Sequence, residues 1–184
     1  MVAINPLTRQ PTSIDFARTT QFKFSLLKIP NVEYFTTTAS IPGISFTGDA
    51  DINTPFKTIA MIGDTLDFED LTVEFLVNED LSNYREIHDW MTGIGFPKDN
   101  PQFTTALSEN TSTAAGENNT TSLLTSDATM TILSNKNNPI LRCNFRNCHP
   151  KSLSALSFNS QSTDTEQITA TVTFKYDLYE FEVL

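Results

Sequence analysis

The sequence predicts a mainly β protein, an antiparallel β-sandwich or barrel with one flanking α-helix. Three observations carry that prediction. Short runs alternate apolar with polar residues, most clearly Ile168, Ala170, Val172, Phe174 and Tyr176 against Thr169, Thr171, Thr173 and Lys175, the period-two pattern of a strand with one buried face. Fourteen phenylalanines against four tyrosines and one tryptophan suit packed sheet faces better than a helical bundle. Only one segment carries helical spacing. A chain of 184 residues is one domain by length and large enough to bury a core without disulfides or metals.

Residues 1–20, with Pro6 and Pro11 and little periodicity, read as an N-terminal arm ahead of a single β domain over 21–184. Phe22, Phe24 and Leu26 alternate with Lys23 and Ser25 and predict the first strand. A second β-prone run covers 32–39 after a turn at Pro30-Asn31, and Pro42-Gly43 is a sharp break after it. Residues 44–62 read as a long hairpin or loop, with Gly48 and Pro55 near its middle. Leu71 to Val77 is apolar on both faces, which predicts a central strand covered on both sides. Asn78-Glu79-Asp80 then offers capping oxygens for a helix carrying Tyr84, Ile87, Trp90, Met91 and Ile94, which Gly93 can end. Residues 104–122, rich in Thr and Asn, hold Leu107 as their only bulky apolar side chain and predict a flexible insertion. Strands resume over 128–133 and 140–147, and a shorter element is marked by Leu153, Leu156 and Phe158. The final strand runs from Ile168 on through Tyr179 and Phe181. The total is about eight strands and one helix.

The side chains that chemistry requires are sparse. Cys143, Cys148 and His149 fit no common zinc spacing, and neighbouring strand residues point to opposite faces. The two cysteines, five strand positions or roughly 16 Å apart, exceed the ~7 Å reach of a disulfide unless the chain bends between them, so free thiols are expected. No phosphate-binding glycine loop, dinucleotide fingerprint or nucleophile elbow is present among the six glycines. The chain is therefore read as neither an enzyme nor a cofactor or metal binder. A formal charge of −10, from 22 acids against 12 bases, opposes binding to a phosphate backbone, because that affinity comes from Lys and Arg. No apolar run reaches the ~20 residues that span a bilayer, and residues 1–20 lack a signal-peptide core; assembly in a cytosol, with no membrane partner, is expected.

One ordered set of residues has a counterpart elsewhere. Asp15-Phe16-Ala17-Arg18 precedes the strand that opens at Phe22; Gly63-Asp64 leads through Phe68 to Leu71-Thr72-Val73; Asn78-Glu79-Asp80 precedes a helix containing Trp90; His149-Pro150 runs on to Leu153, Leu156, Phe158, Asn159 and Ser160; and an alternating strand closes the chain through Tyr179 and Phe181. This order resembles the tail tube protein family of T-even-type contractile-tailed bacteriophages over nearly the whole chain. Leu71 departs from it, standing where a bulkier aromatic is usual, and so does the 104–122 insertion.

The resemblance implies a tail-tube-like β domain and a structural virion protein. It would form hexameric rings, stacked into the inner tail tube, in contact with tail sheath and baseplate proteins. Phage DNA would pass through the bore without specific binding, and the protein would be assembled in the host cytoplasm. It also implies inter-subunit contacts, for which Ile44, Phe46, Ile52, Phe56, Ile59 and Ile62 in the long hairpin and Phe16 and Arg18 in the arm are the candidates; the acids lining the bore are not identified. A baseplate tube initiator or a type VI secretion ring protein shares the design. From another class, a carbohydrate- or calcium-binding β-sandwich module would use the acidic stretch between Asp49 and Asp89.

Overall fold

A computed structural model describes residues 15–48, 50–98, 101, 104, 124–161 and 167–184. In order, the elements are β1 (Phe22–Leu26), α1 (Pro30–Phe35), β2 (Thr36–Ala39), β3 (Ile44–Thr47), β4 (Ala50–Asn53), β5 (Thr58–Met61), β6 (Thr65–Phe68), β7 (Leu71–Leu76), α2 (Ser82–Gly95), β8 (Ser126–Leu133), β9 (Pro139–Leu153), β10 (Thr169–Lys175) and β11 (Leu178–Val183). The chain is mainly antiparallel β, as the alternation requires. The expected 104–122 insertion lies outside the described residues apart from Thr104, as do residues 1–14 of the N-terminal arm.

The 15-residue β9 is the spine of the sheet. One of its edges pairs first with β10 and then with β11, in one register from Phe174↔Pro150 and Lys175↔His149 to Leu178↔Arg146 and Val183↔Leu141. The expected single terminal strand is thus interrupted at Tyr176-Asp177 but keeps the same partner. The interruption is a bend. Asn147 opposite it adopts a left-handed φ of 55°, donates its backbone N–H to Asp127 (3.1 Å) and its side-chain amide to Asp177 (2.6 Å). That bend also resets the alternation, so Cys143, Phe145 and Cys148 all point into the core. Beyond the spine the order is β1-β8-β9-β10-β7-β2.

Phe24, Leu26, Met130, Phe145, Val172, Phe174, Leu71, Val73 and Phe75 make the core, with Val32 of α1 and Ile87 and Trp90 of α2 closing over it. Trp90 packs against Phe174 at 6.2 Å between centroids and donates its indole N–H to the Leu124 carbonyl at 2.9 Å. The helix thereby holds the point where the chain re-enters the sheet at β8.

Several expectations are corrected. The run 32–39 is a helix followed by a strand, giving two helices among the described residues. Pro30 sits in the first turn of α1, where its fixed φ is preorganised and its missing N–H costs nothing. Tertiary contacts then override the β preference of the segment: Val32 is fully buried, Glu33 accepts from Ser25 at 2.9 Å and pairs with Lys23 at 3.4 Å. β7 is central but covered on one face only, with Leu71, Val73 and Phe75 buried and Thr72 exposed, as one-sided packing of an antiparallel sheet dictates. α2 begins at Ser82, after Leu81 in a left-handed conformation, and continues past the buried Gly93 to end on left-handed Phe96. Asp80 still serves its first turn by accepting the Ser82 N–H at 3.2 Å. Leu153 ends β9, while Leu156 and Phe158 lie in no strand. Among the described residues eleven strands replace about eight, because the long hairpin contributes four short ones and the terminal run divides.

Candidate functional site

The most unusual surface is the hairpin itself. β3 pairs with β6 through Ile44↔Phe68 and Phe46↔Leu66, and β4 pairs with β5 through Ala50↔Met61 and Ile52↔Ile59. Directly opposed residues share a face of a two-stranded ribbon, so these four pairs give each half of the ribbon one apolar side. The alternate pairs, Ser45↔Asp67, Thr47↔Thr65, Asp51↔Ala60 and Asn53↔Thr58, make the other side mostly polar. Gly48, at φ 81°, supplies the left-handed residue at the junction of the halves. A tip turn closes the ribbon, with the Thr54 N–H and hydroxyl both donated to the Lys57 carbonyl.

This ribbon projects from the body as an arm: all four of its strands are exposed apart from the half-buried Phe68 at the root. Of the expected contact residues, Ile44, Phe46, Ile52 and Ile59 lie on its apolar sides, Phe56 stands at the tip 99% exposed, and Ile62 is 89% exposed between β5 and β6. The hairpin extends to Phe68, six residues past its expected end, which adds Leu66 and Phe68 to the apolar face. Gly63-Asp64 separates β5 from β6, and the alternation resuming at Leu66 and Phe68 is the signal for a longer arm. Phe16 (84% exposed) and Arg18 stand at the entry to β1, a different element.

At its root the arm is tied to the β10–β11 bend. Tyr176 donates its hydroxyl to the Glu69 carbonyl at 2.7 Å, and Tyr179 donates to the Pro42 carbonyl at 3.1 Å. Desolvation raises both phenols above their ordinary range, so each remains a donor. Phe68 meets both rings edge-on at 6.2 and 5.6 Å. Asp70, beside the root, binds Lys151 at 2.6 Å and Lys175 at 2.8 Å, and these hydrogen bonds hold its carboxyl below the usual range.

The outward face of β9 and β11 is different in kind. Arg146 pairs with Glu180 at 2.7 Å and Arg142 with Glu182 at 3.4 Å, so acids there are matched by bases. From Asp51 to Glu69 the arm and its root carry Asp51, Asp64, Asp67 and Glu69 against Lys57 in the same segment, while Asp70 is matched by Lys151 and Lys175.

Among the described residues no three His, Cys, Asp or Glu side chains cluster as a metal site. Cys143 and Cys148 are free thiols that burial pushes up to about 11 and about 12. A shallow cleft of about 390 Å³ beside α2 is lined by Tyr84, His88, Met91 and Leu153 among others, and the Tyr84 hydroxyl is already donated to the Ser154 carbonyl at 3.0 Å. Among the described residues no helix is long and apolar enough to cross a membrane.

The sequence pattern of the phage tail tube protein family matches residues 6–182. No curated protein matches the chain. Among solved structures, a chain of the anti-feeding prophage tube-terminating cap superposes with a TM-score of 0.56 at 16% identity, over 98% of this chain and 100% of that one. A chain of the six-fold-symmetrised anti-feeding prophage baseplate gives 0.56 at 9% identity, over 92% and 97%. A chain of the sheath–tube complex of the PVC extracellular contractile injection system gives 0.51 at 14% identity, over 92% and 93%. At these identities the likeness is one of fold.

Proposed function

The chain belongs to the phage tail tube protein family, and from that premise we propose that it forms hexameric rings that stack into the inner tube of a contractile phage tail, a conduit for DNA during ejection. The observation that carries this reading is the projecting arm with an uncovered apolar side. A lone two-stranded ribbon is marginal in water, and half-exposed side chains such as Ile44, Ile52, Ile59 and Met61 each gain on the order of 1 kcal/mol when a partner covers them. A second copy of the chain is the partner that a repeating tube supplies at every subunit. Phe56 and Ile62 extend the same contact, and Phe16 and Arg18, beside the outer edge of β1, contribute to a second one.

Among the described residues the outer edges of β1, β2 and β11 have no partner strand, and this favours the same assembly, since closing a ring of sheets removes edges that otherwise invite uncontrolled pairing. Head-to-tail contacts that close make a ring, and rings that repeat make a tube. A net charge of −10 suits a conduit to which DNA does not adhere. Sheath and baseplate proteins are the expected neighbours along the outside and at the end, in a virion assembled in the host cytoplasm. The same fold in a baseplate and in a terminating cap favours one alternative, a single-ring role at a tube end.

Sedimentation tests the arm. The wild-type chain is expected to pellet as long assemblies, whereas Ile52→Ser with Ile59→Ser, a directly paired position facing solvent in the free chain, leaves melting nearly unchanged and stops growth at rings or single chains. Pelleting of that variant at the wild-type concentration removes the arm from the assembly; growth of the wild type that stops at one ring selects the tube-end role.

A further inference from the structure

The arm is bonded at both limbs of its root, one tyrosine to each. The outgoing limb is held by Tyr179 through the Pro42 carbonyl and the returning limb by Tyr176 through the Glu69 carbonyl. The limbs are also bonded to each other, the Glu69 N–H donating to the Gly43 carbonyl at 3.0 Å. The Gly43 N–H donates to the Glu69 carboxylate at 3.3 Å. A Cβ on Gly43 would come within 2.9 Å of that carboxylate and displace it. Phe68, the last residue of β6 and the partner of Ile44 on the apolar side, meets both tyrosine rings edge-on.

The tyrosines are placed for this by the bend in the terminal strand. Asp177 lies between them, its N–H donated to the Arg146 carbonyl and its carboxylate accepting from the side chain of left-handed Asn147. The bend turns Tyr176 and Tyr179 toward one another, 6.0 Å apart, over the buried Phe145. Rings of this size pack into the body on their own and against Phe68; the hydroxyls add the hydrogen bonds to the two limbs of the arm root. Core packing explains two aromatics here, and it does not explain why both end on carbonyls of the arm root.

The geometry points to Tyr176 and Tyr179 as positioning residues that fix the direction of the arm before any partner arrives, so that the angle between one copy and the next is set within the free chain. This rests on the reading that the arm docks on a second copy. A preset arm loses less conformational freedom on docking, and that loss would otherwise be subtracted from the contact. A loose arm would meet a second copy from many angles and allow branched or irregular growth.

The test replaces both hydroxyls, as Tyr176→Phe with Tyr179→Phe, and measures three things against the wild type and the Ile52→Ser, Ile59→Ser chain. In unassembled protein, below the concentration at which growth begins, amide hydrogen exchange over 44–68 is expected to quicken tenfold or more while β8 and β9 amides and the melting temperature change little. The onset concentration for assembly is expected to rise at least tenfold, and the particles that form to vary in curvature by electron microscopy. Single replacements should each give part of the effect, which keeps the test sound if the double variant folds poorly. Unchanged exchange in the arm overturns the positioning role whatever the assembly does. Faster exchange with unaltered assembly, where the Ile52→Ser, Ile59→Ser chain fails to grow, also overturns it. If that last chain grows normally, the docking reading fails instead.

Discussion

Asn83 is fully buried, the one buried polar side chain among the described residues, and it joins the end of β7 to the start of α2. Its amide donates to the Leu76 carbonyl at 2.7 Å and its carbonyl accepts the Asn78 N–H at 3.2 Å. Asn83→Ala removes both partners from shielded backbone groups, and unfolding in denaturant should register a loss of about 2 kcal/mol with the arm unaffected. Nothing in the sequence marks this residue, because an Asn near a helix start looks like a cap until its burial is seen. The cysteines were more legible. Their separation along one strand spoke against a disulfide, and their thiols are free in the structure. Desolvation raises both thiols, to about 11 for Cys143 and about 12 for Cys148, so the thiolate that reacts is scarce in the folded chain. A thiol-reactive chromophore at pH 8 should label neither cysteine in native protein and both after denaturation. The sign for stability comes from the same shift: the contribution is complete below the ordinary thiol value near ~8.5 and is lost as pH climbs toward the folded values.

The long hairpin was legible as an element because Pro42-Gly43 announces its start and Ile52 and Ile59 repeat an apolar pattern across a tip at Pro55. Its true end at Phe68 was not, since Gly63-Asp64 resembles a turn between elements. α1 was illegible for a different reason. Val32, Tyr34 and Phe35 favour strands locally, and the contacts that make a helix of them, Glu33 to Ser25 and Lys23, belong to the tertiary structure. The root of the arm lay furthest from view: Tyr176 and Tyr179 meet carbonyls 107 and 137 residues away in sequence, a relation no local pattern encodes. Asp70 adds an electrostatic tie beside that root. Lys151 and Lys175 depress its carboxyl, so its contribution is present above the ordinary carboxylate value near ~4 and disappears as pH falls through the lower folded value. Asp70→Asn should therefore lower the melting temperature slightly at pH 7, as partly exposed pairs do, and the gap to wild type should close in acid. A gap that persists below pH 2 would assign the loss to packing instead of charge.

At the scale of the molecule, an antiparallel sheet buries its core on one side and, among the described residues, leaves an amphipathic arm and three outer strand edges exposed. The sheet class and the terminal alternation are local signals; the resemblance to tail tube proteins rests on the order of residue blocks spread over the chain, among them Gly63-Asp64, Thr72-Val73 and Asn78-Glu79-Asp80 ahead of Trp90. Which surfaces would meet in the proposed assembly depends on where the arm points, a property of the folded body. Electron microscopy of the purified full chain at high concentration tests the proposed tube most directly. Hollow, unbranched filaments whose end-on views show sixfold rings are the expected picture. A solution of monodisperse single chains, or solid fibrils without a bore, would contradict it.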